Sequence, residues 1–198
     1  MYVPGGKVVA AASENGMVAV NGMSNHARNE KNANSAVVVQ VSSKDFGSGI
    51  FDGMNFQRSL EKISFENGGG GYFAPVQTVG SLLKTKKHFE LQPSYKPGVT
   101  HCDFEKIFPR FMINSVKDGI TAFGKKLKGF DDGGALLTAV ETRTSSPVRI
   151  LRGDNGQSAS FGGIYPSGEG AGYAGGIMSA AVDGIKTAEK IISEYKPF

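Results

Sequence analysis

The 198-residue chain contains no tryptophan and a single cysteine, Cys102. One cysteine excludes an intramolecular disulfide and a cysteine-rich zinc site, so no metal ligands are expected, and a reducing cytoplasm is the expected compartment. No apolar run approaches the roughly 18 residues that a membrane-spanning helix needs. The N-terminus also lacks the charged-then-apolar pattern of a secretory signal, which points to a soluble, unexported protein with no membrane partner. Charged residues make up 20% of the chain without a long block of one sign, and hydrophobic residues 39%, a balance that excludes the disordered class. The formal charge of +4 is too small to predict a nucleic-acid partner. Its lysine clusters, Lys84, Lys86, Lys87 and Lys125, Lys126, Lys128, read as solvated helix ends or turns, with weak attraction for anionic nucleotides as the functional alternative. A phosphate-binding Gly-Lys-Ser or Gly-Lys-Thr is missing, and so is a complete βαβ unit carrying a dinucleotide fingerprint.

What is abundant is glycine, 28 residues gathered in a few places. Residues 7–12 and 17–20 read as two short strands joined through the turn signal Asn15-Gly16. A polar loop follows over residues 24–34, and the β-branched stretch 36–41 predicts a strand. Asp52 is placed to cap a helix over residues 55–67, with Phe56, Leu60, Ile63 and Phe65 on its apolar stripe and residues 68–71 as its glycine stop. Pro75 is expected to open a second helix through Val76, Val79, Leu82 and Leu83. A third helical region spans residues 103–127, interrupted near Pro109, with Phe111, Ile113, Val116, Ile120 and Phe123 as its buried candidates. Short strands are then expected at residues 136–140, 142–144 and 148–152. A final helix runs to about Tyr195 on the stripe Ile177, Ala181, Gly184, Ile185, Ala188, Ile191 and Ile192. The fold class expected is α+β: a mixed sheet contributed from both ends of the chain, with a helical insert between.

The segment before that last helix carries the strongest chemical signal. Small residues crowd positions 168–176, so little side-chain bulk separates the backbone from a ligand. The first N–H groups of a helix lack intrahelical acceptors and carry partial positive charge, which suits an anion or a polarised carbonyl; tight packing against a sheet is the alternative use of the same glycines. The run Thr142-Arg143-Thr144-Ser145-Ser146-Pro147-Val148-Arg149 offers guanidinium groups and hydroxyls. Arg143 is a candidate for a charged ligand or, equally, for an ion pair with Glu141. His26 and Arg28 form a second candidate pair, for proton delivery and anion binding, against an incidental loop position. Cys102 beside His101 invites a redox reading, which the absence of a second cysteine and the poor geometry of sequence neighbours weigh against.

Several long ordered stretches carry a family resemblance: Pro4-Gly5-Gly6, residues 8–13, Asn21-Gly22-Met23-Ser24 with His26-Ala27-Arg28, residues 32–36, Tyr72-Phe73-Ala74-Pro75, residues 141–149 and residues 165–176. Over essentially its whole length the chain resembles the C-terminal part of the bacterial FAD-dependent, or NAD(FAD)-utilising, dehydrogenases, a family itself uncharacterised. The resemblance implies a two-lobed flavoprotein whose fingerprint for the ADP moiety lies upstream of this sequence, so that Met1 falls in mid-domain. Residues 1–135 are then the inserted substrate or cap domain, and residues 136–198 the returning C-terminal part of the FAD-binding domain.

It further implies that Gly168, Glu169, Gly170, Ala171, Gly175, Gly176, Ile177 and Thr144 contact the cofactor. Glu169 takes the place of an acid that hydrogen-bonds the ribityl chain, where aspartate is the usual residue. The helix start at Gly175, Gly176 and Ile177 faces the flavin's pyrimidine edge. His26 and Arg143 remain the catalytic candidates. The expected function is that of a fragment of an FAD-dependent oxidoreductase, with NAD(P)H as a candidate electron donor and an unassigned small-molecule substrate. The isolated piece is expected to be inactive and not to retain FAD. The alternative is a non-catalytic insert domain that recognises a substrate or a partner protein. An apolar surface left by the missing lobe would favour a homodimer.

Overall fold

The computed structural model describes residues 2–12, 14–86 and 92–195; Ser13 of the expected turn and Lys87 of the first lysine cluster lie outside them. The chain divides into two compact units, Met1–Val41 with Phe56–Thr142, and Ser42–Asn55 with Arg143–Phe198. The class is α+β, with two small sheets and five helices among the described residues.

Unit 1 opens on an antiparallel sheet in the order β2-β1-β3, formed by β1 (Tyr2–Ala10), β2 (Val20–Ser24) and β3 (Asn32–Ser35). Ala10 faces Val20 across the first pair and Gly16 takes the left-handed conformation (φ 72°) in the connection, but the second strand begins at Val20 and not at residue 17, and residues 32–34 of the expected polar loop pair with β1 as part of β3. Asn34 locks the sheet: its amide donates to Lys7 O and Met23 O, both at 3.0 Å. The amide occupies the space where a Cβ at position 6 would sit, 2.5 Å from Asn34 Cγ, which is why Gly6 is required there.

The second sheet has β4 (Ala74–Thr78) at its centre, parallel to β5 (Val99–His101) and antiparallel to β6 (Leu136–Thr138). Helices α2 (Asp52–Asn67), α3 (Val79–Leu83) and α4 (Arg110–Lys126) accompany it, the unit boundary falling inside α2. Leu60, Val79, Leu82, Phe104, Ile107, Ile113, Ile120, Ala139 and Val140 form one buried cluster, and Val18, Val20, Ala74 and Tyr95 a second. Each large apolar side chain so buried contributes roughly 1.5–3 kcal/mol before entropy is counted. Unit 2 holds the short α1 (Ser43–Phe46), fixed by a Ser42/Asp45 capping box, and the long α5 (Ile177–Glu194).

Several expectations are corrected. Pro75 lies in a strand: residues 74–77 are all buried, which a helix with one apolar face would not achieve, and Pro75 O accepts from Ala139 N. The stretch 36–41 pairs with nothing, because the edge of β1 is already taken by residues 32–35. Of the expected late strands only Leu136–Thr138 forms; residues 142–144 and 148–152 lack a neighbouring strand, apart from one bridge between Arg152 and Ser158. No sheet among the described residues joins the two ends of the chain, and the helices alternate with strands instead of forming one helical block. In α4, Ile113 and Ile120 are buried, but Phe111 and Phe123 are exposed. No described helix is long and apolar enough to cross a membrane.

Candidate functional site

Unit 2 brings the two stretches singled out from the sequence into direct contact. The loop before α5 makes a tight turn in which Gly172 N donates to Glu169 O at 2.9 Å and Tyr173 N to Gly168 O at 3.0 Å. Gly168 (φ 71°) and Gly172 (φ 83°) occupy the left-handed region that L side chains resist. A Cβ on Gly172 would stand 2.5 Å from Val148 O, so the run 144–149 lies against the turn at a separation only glycine permits. Ile150 N donates to Ala171 O (3.2 Å), Arg149 Nε to Gly172 O (2.9 Å), and Ser146 Oγ lies 3.1 Å from Gly170 O. Gly175 stands beside Ser145 Oγ.

α5 begins at the mouth of this loop without a capping side chain. Gly176 is its N-cap, and the first intrahelical bond runs from Ala180 N to Gly176 O. The N–H groups of Ile177, Met178 and Ser179 therefore precede any intrahelical acceptor. Ile177 is 90% exposed, and a Cβ built on Gly170 meets nothing within 4 Å. Gly170, Gly175 and Glu169 face solvent, whereas Ala171 is buried and anchors the turn.

Beneath the loop lies a polar network that the sequence reading did not single out. Arg152 grips Asp183 with both terminal nitrogens, at 3.0 and 2.6 Å, and Asp183 also accepts from Gly168 N at 2.8 Å. These bonds, that with Arg152 first, hold the Asp183 carboxyl well below the ordinary carboxylate range. Farther along α5, Glu194 accepts from Tyr165 Oη and Gln157 Nε2, both at 2.6 Å, which pushes the Tyr165 phenol well up. The available signal was the spacing of Asp183 and Thr187, four apart on a helix otherwise read only for its apolar stripe.

The other candidates are placed elsewhere. Thr144 and Arg143 are exposed at the start of unit 2. Glu141 is half-buried, and burial pushes its carboxyl up. His26 is exposed in unit 1, on the loop where Arg28 takes a positive φ and donates its N–H to Asn25 O. His101 and Cys102 line a cleft of about 530 Å³ in unit 1 with Gln77, Ser81 and Lys84. Burial, then the charge of Asp103, raises the Cys102 thiol above its ordinary value, the opposite of what an activated nucleophile needs. No described group of three His, Cys, Asp or Glu side chains is arranged to hold a metal.

Comparison with known proteins places this geometry in context. The family model described as FAD-dependent protein, C-terminal domain-like, matches residues 2–144. A protein of Clostridium beijerinckii, described only as an uncharacterized protein, is 52% identical over 196 residues. That match covers 97% of this chain and 37% of the relative, so the chain spans little more than a third of the relative's length.

Proposed function

The chain belongs to the family of FAD-dependent protein C-terminal domains, and from that premise we propose that it is the C-terminal portion of an FAD-dependent oxidoreductase, with the loop before α5 as its flavin-facing element. The observation that carries the proposal is the conjunction of an uncapped helix start, a turn free of side-chain bulk over Gly170, and the hydroxyls of Ser145 and Ser146 beside it. These features fit the cofactor: glycine permits close backbone approach, and the helix N–H groups favour negative charge at their end.

Bound FAD would supply the redox chemistry. The chain's part is to hold and orient it. The N–H groups at Ile177 and the residues after it would face the pyrimidine edge and stabilise charge there, with Gly168, Ala171, Gly175 and Gly176 letting the backbone come close. Glu169 would accept from a ribityl hydroxyl, and Thr144, next in sequence to Ser145, would be a further cofactor contact, with Arg143 the candidate catalytic residue. NAD(P)H is the electron donor we propose. Unit 1, closed around its own apolar core, would be the inserted substrate or cap domain, and unit 2 the returning part of the FAD-binding domain.

Unit 2 supports this division. Ile177, Met178, Ile185 and Ile192 of α5 are between 60% and 90% exposed, as are Ile50 (83%), Leu151 (66%) and Phe161 (67%). Apolar surface of this extent marks a face that another structural element covers. We assign that role to the remainder of a longer flavoprotein, and in its absence to self-association.

The test is titration of FAD into the chain, read by flavin fluorescence, beside a Gly170→Leu variant. Position 170 has open space around it, so the larger side chain obstructs a ligand without disturbing the fold. Weak binding that Gly170→Leu removes is the expected result. Sub-micromolar affinity would show that this portion retains FAD unaided, and equal binding by both proteins would remove the loop from the site.

A further inference from the structure

We infer that Arg152 and Asp183 are the positioning pair of the glycine-rich loop, fixing the path of residues 166–173 and thereby the place from which the start of α5 meets its ligand. The facing run ties only the middle of the loop, through Ser146 to Gly170, Ile150 to Ala171 and Arg149 to Gly172, so its two ends need another hold. Glycines at 168, 170 and 172 supply no side chains to pack, and glycine loses more conformational freedom on ordering than any other residue. One ion pair touches both ends of the turn. At the entry, Arg152 Nη1 donates to Pro166 O (2.7 Å), while Asp183 Oδ2 accepts from Gly168 N (2.8 Å) and Ser167 Oγ (3.3 Å). At the exit, the Arg152 guanidinium lies 3.7 Å from the centroid of the Tyr173 ring, and Arg152 N donates to the Tyr173 hydroxyl at 3.1 Å.

The pair is itself well held. The two side chains are 16% and 14% exposed, and Thr187, one turn beyond Asp183, donates to Asp183 O (2.8 Å) and lies 3.2 Å from Ser167 Oγ. A fork that bonds a carboxylate through two nitrogens while stacking on an aromatic face is a task that lysine cannot perform. Asp183 sits at the seventh residue of α5, so the same carboxylate fixes the loop to the body of the helix and not to its first turn.

The holding of the loop stands on these contacts alone; its consequence for the ligand rests on the flavin assignment above. The experiment is amide hydrogen exchange on the full chain for Arg152→Lys, Asp183→Asn and the parent, with FAD titrated into each. Both substitutions are expected to speed exchange at Gly168, Gly172 and Tyr173 by at least tenfold, with amides in the middle of α5 and in β4 unchanged. Exchange that rises equally along α5 would reduce the pair to a general stabiliser and overturn the inference, as would unchanged exchange in the loop. Faster loop exchange with unaltered flavin affinity supports the pair's role and counts against the flavin assignment, so the two fail separately.

Discussion

Replacing Thr142 by valine tests the deepest polar contact of unit 1. Glu61 on α2 is 1% exposed, and the Thr142 hydroxyl donates to its Oε1 at 2.5 Å, while Gln57 Nε2 donates to Thr142 O at 2.8 Å and Val18 N to Glu61 O at 3.0 Å. A carboxylate without access to water depends on its protein donors. Valine keeps the shape and removes one of them. Hydrogen bonds to charged groups contribute roughly 1.5–3 kcal/mol, and the half-buried methyl gained recovers a fraction, so about 2 kcal/mol of destabilisation is expected. For a unit of this size that is a fall of roughly 7 °C in Tm. Urea unfolding followed by circular dichroism should show a lower midpoint with an unchanged slope. Combining it with Glu61→Gln, which removes the charge that the hydroxyl serves, should give a coupling of about 1 kcal/mol in the double-mutant cycle. A loss below about 0.5 kcal/mol, or strict additivity with Glu61→Gln, would show that Thr142 does not support the buried carboxylate.

Two further outcomes concern unit 2. Gly172→Ala forces an L side chain into a left-handed conformation and against the Val148 carbonyl, so it should destabilise the loop by at least the ~1–2 kcal/mol of the backbone term; proteolysis within residues 166–173 is the readout, and unchanged resistance would contradict the close approach. Asp183 is more acidic folded than unfolded, so the stability it adds is present above its unfolded value, near ~3.9, and disappears as pH falls through its folded value. The difference in loop protection at Gly168 between the parent and Asp183→Asn should therefore be widest at neutral pH and shrink in acid, and a difference that does not vary with pH would show that the Arg152 pair is not its source.

The helices were legible from apolar periodicity, whether the face is packed on a core, as in α2, or left exposed, as in α5. The stripe Phe56, Leu60 and Ile63 located α2, and the stripe of α5 gave its end almost to the residue. β4 was misread because burial on every side erases periodicity: Ala74, Pro75, Val76 and Gln77 are all inside, and Gln77 is tolerated there because its Oε1 accepts from Phe104 N at 3.0 Å. No local rule anticipates that partner. The strand expected at 36–41 had the propensity but not the neighbour, since pairing is decided by a distant edge. At the site, the glycines left ligand approach and tight packing both open, and Gly172 against Val148 is an instance of packing. What held the turn in place was invisible, because Arg152 and Asp183 meet only once residues 31 positions apart are folded together.

The two units are stabilised by opposite means. In unit 1 the described core is apolar, with Ile113 and Ile120 of α4 and Phe104 and Ile107 of the preceding turn buried to within 5%. Unit 2 buries among its described residues only Gly53, Gly156, Pro166, Ala171 and Thr187, none with a large apolar side chain, while every isoleucine but the partly buried Ile191 is exposed. Hydrophobic transfer thus contributes little to unit 2, and the ordering entropy of a glycine-rich loop must be offset by the Arg152–Asp183 pair and the Tyr165–Glu194 contact. Polar networks of this kind fix geometry well but yield small net stability, since each bond replaces one made to water. Unit 2 is therefore organised for position, its geometry resting on polar contacts while the apolar residues of α5 stay exposed. On the proposed reading, covering that face would add the apolar burial the unit lacks, and the loop carried on it would be ordered most firmly once the face is covered.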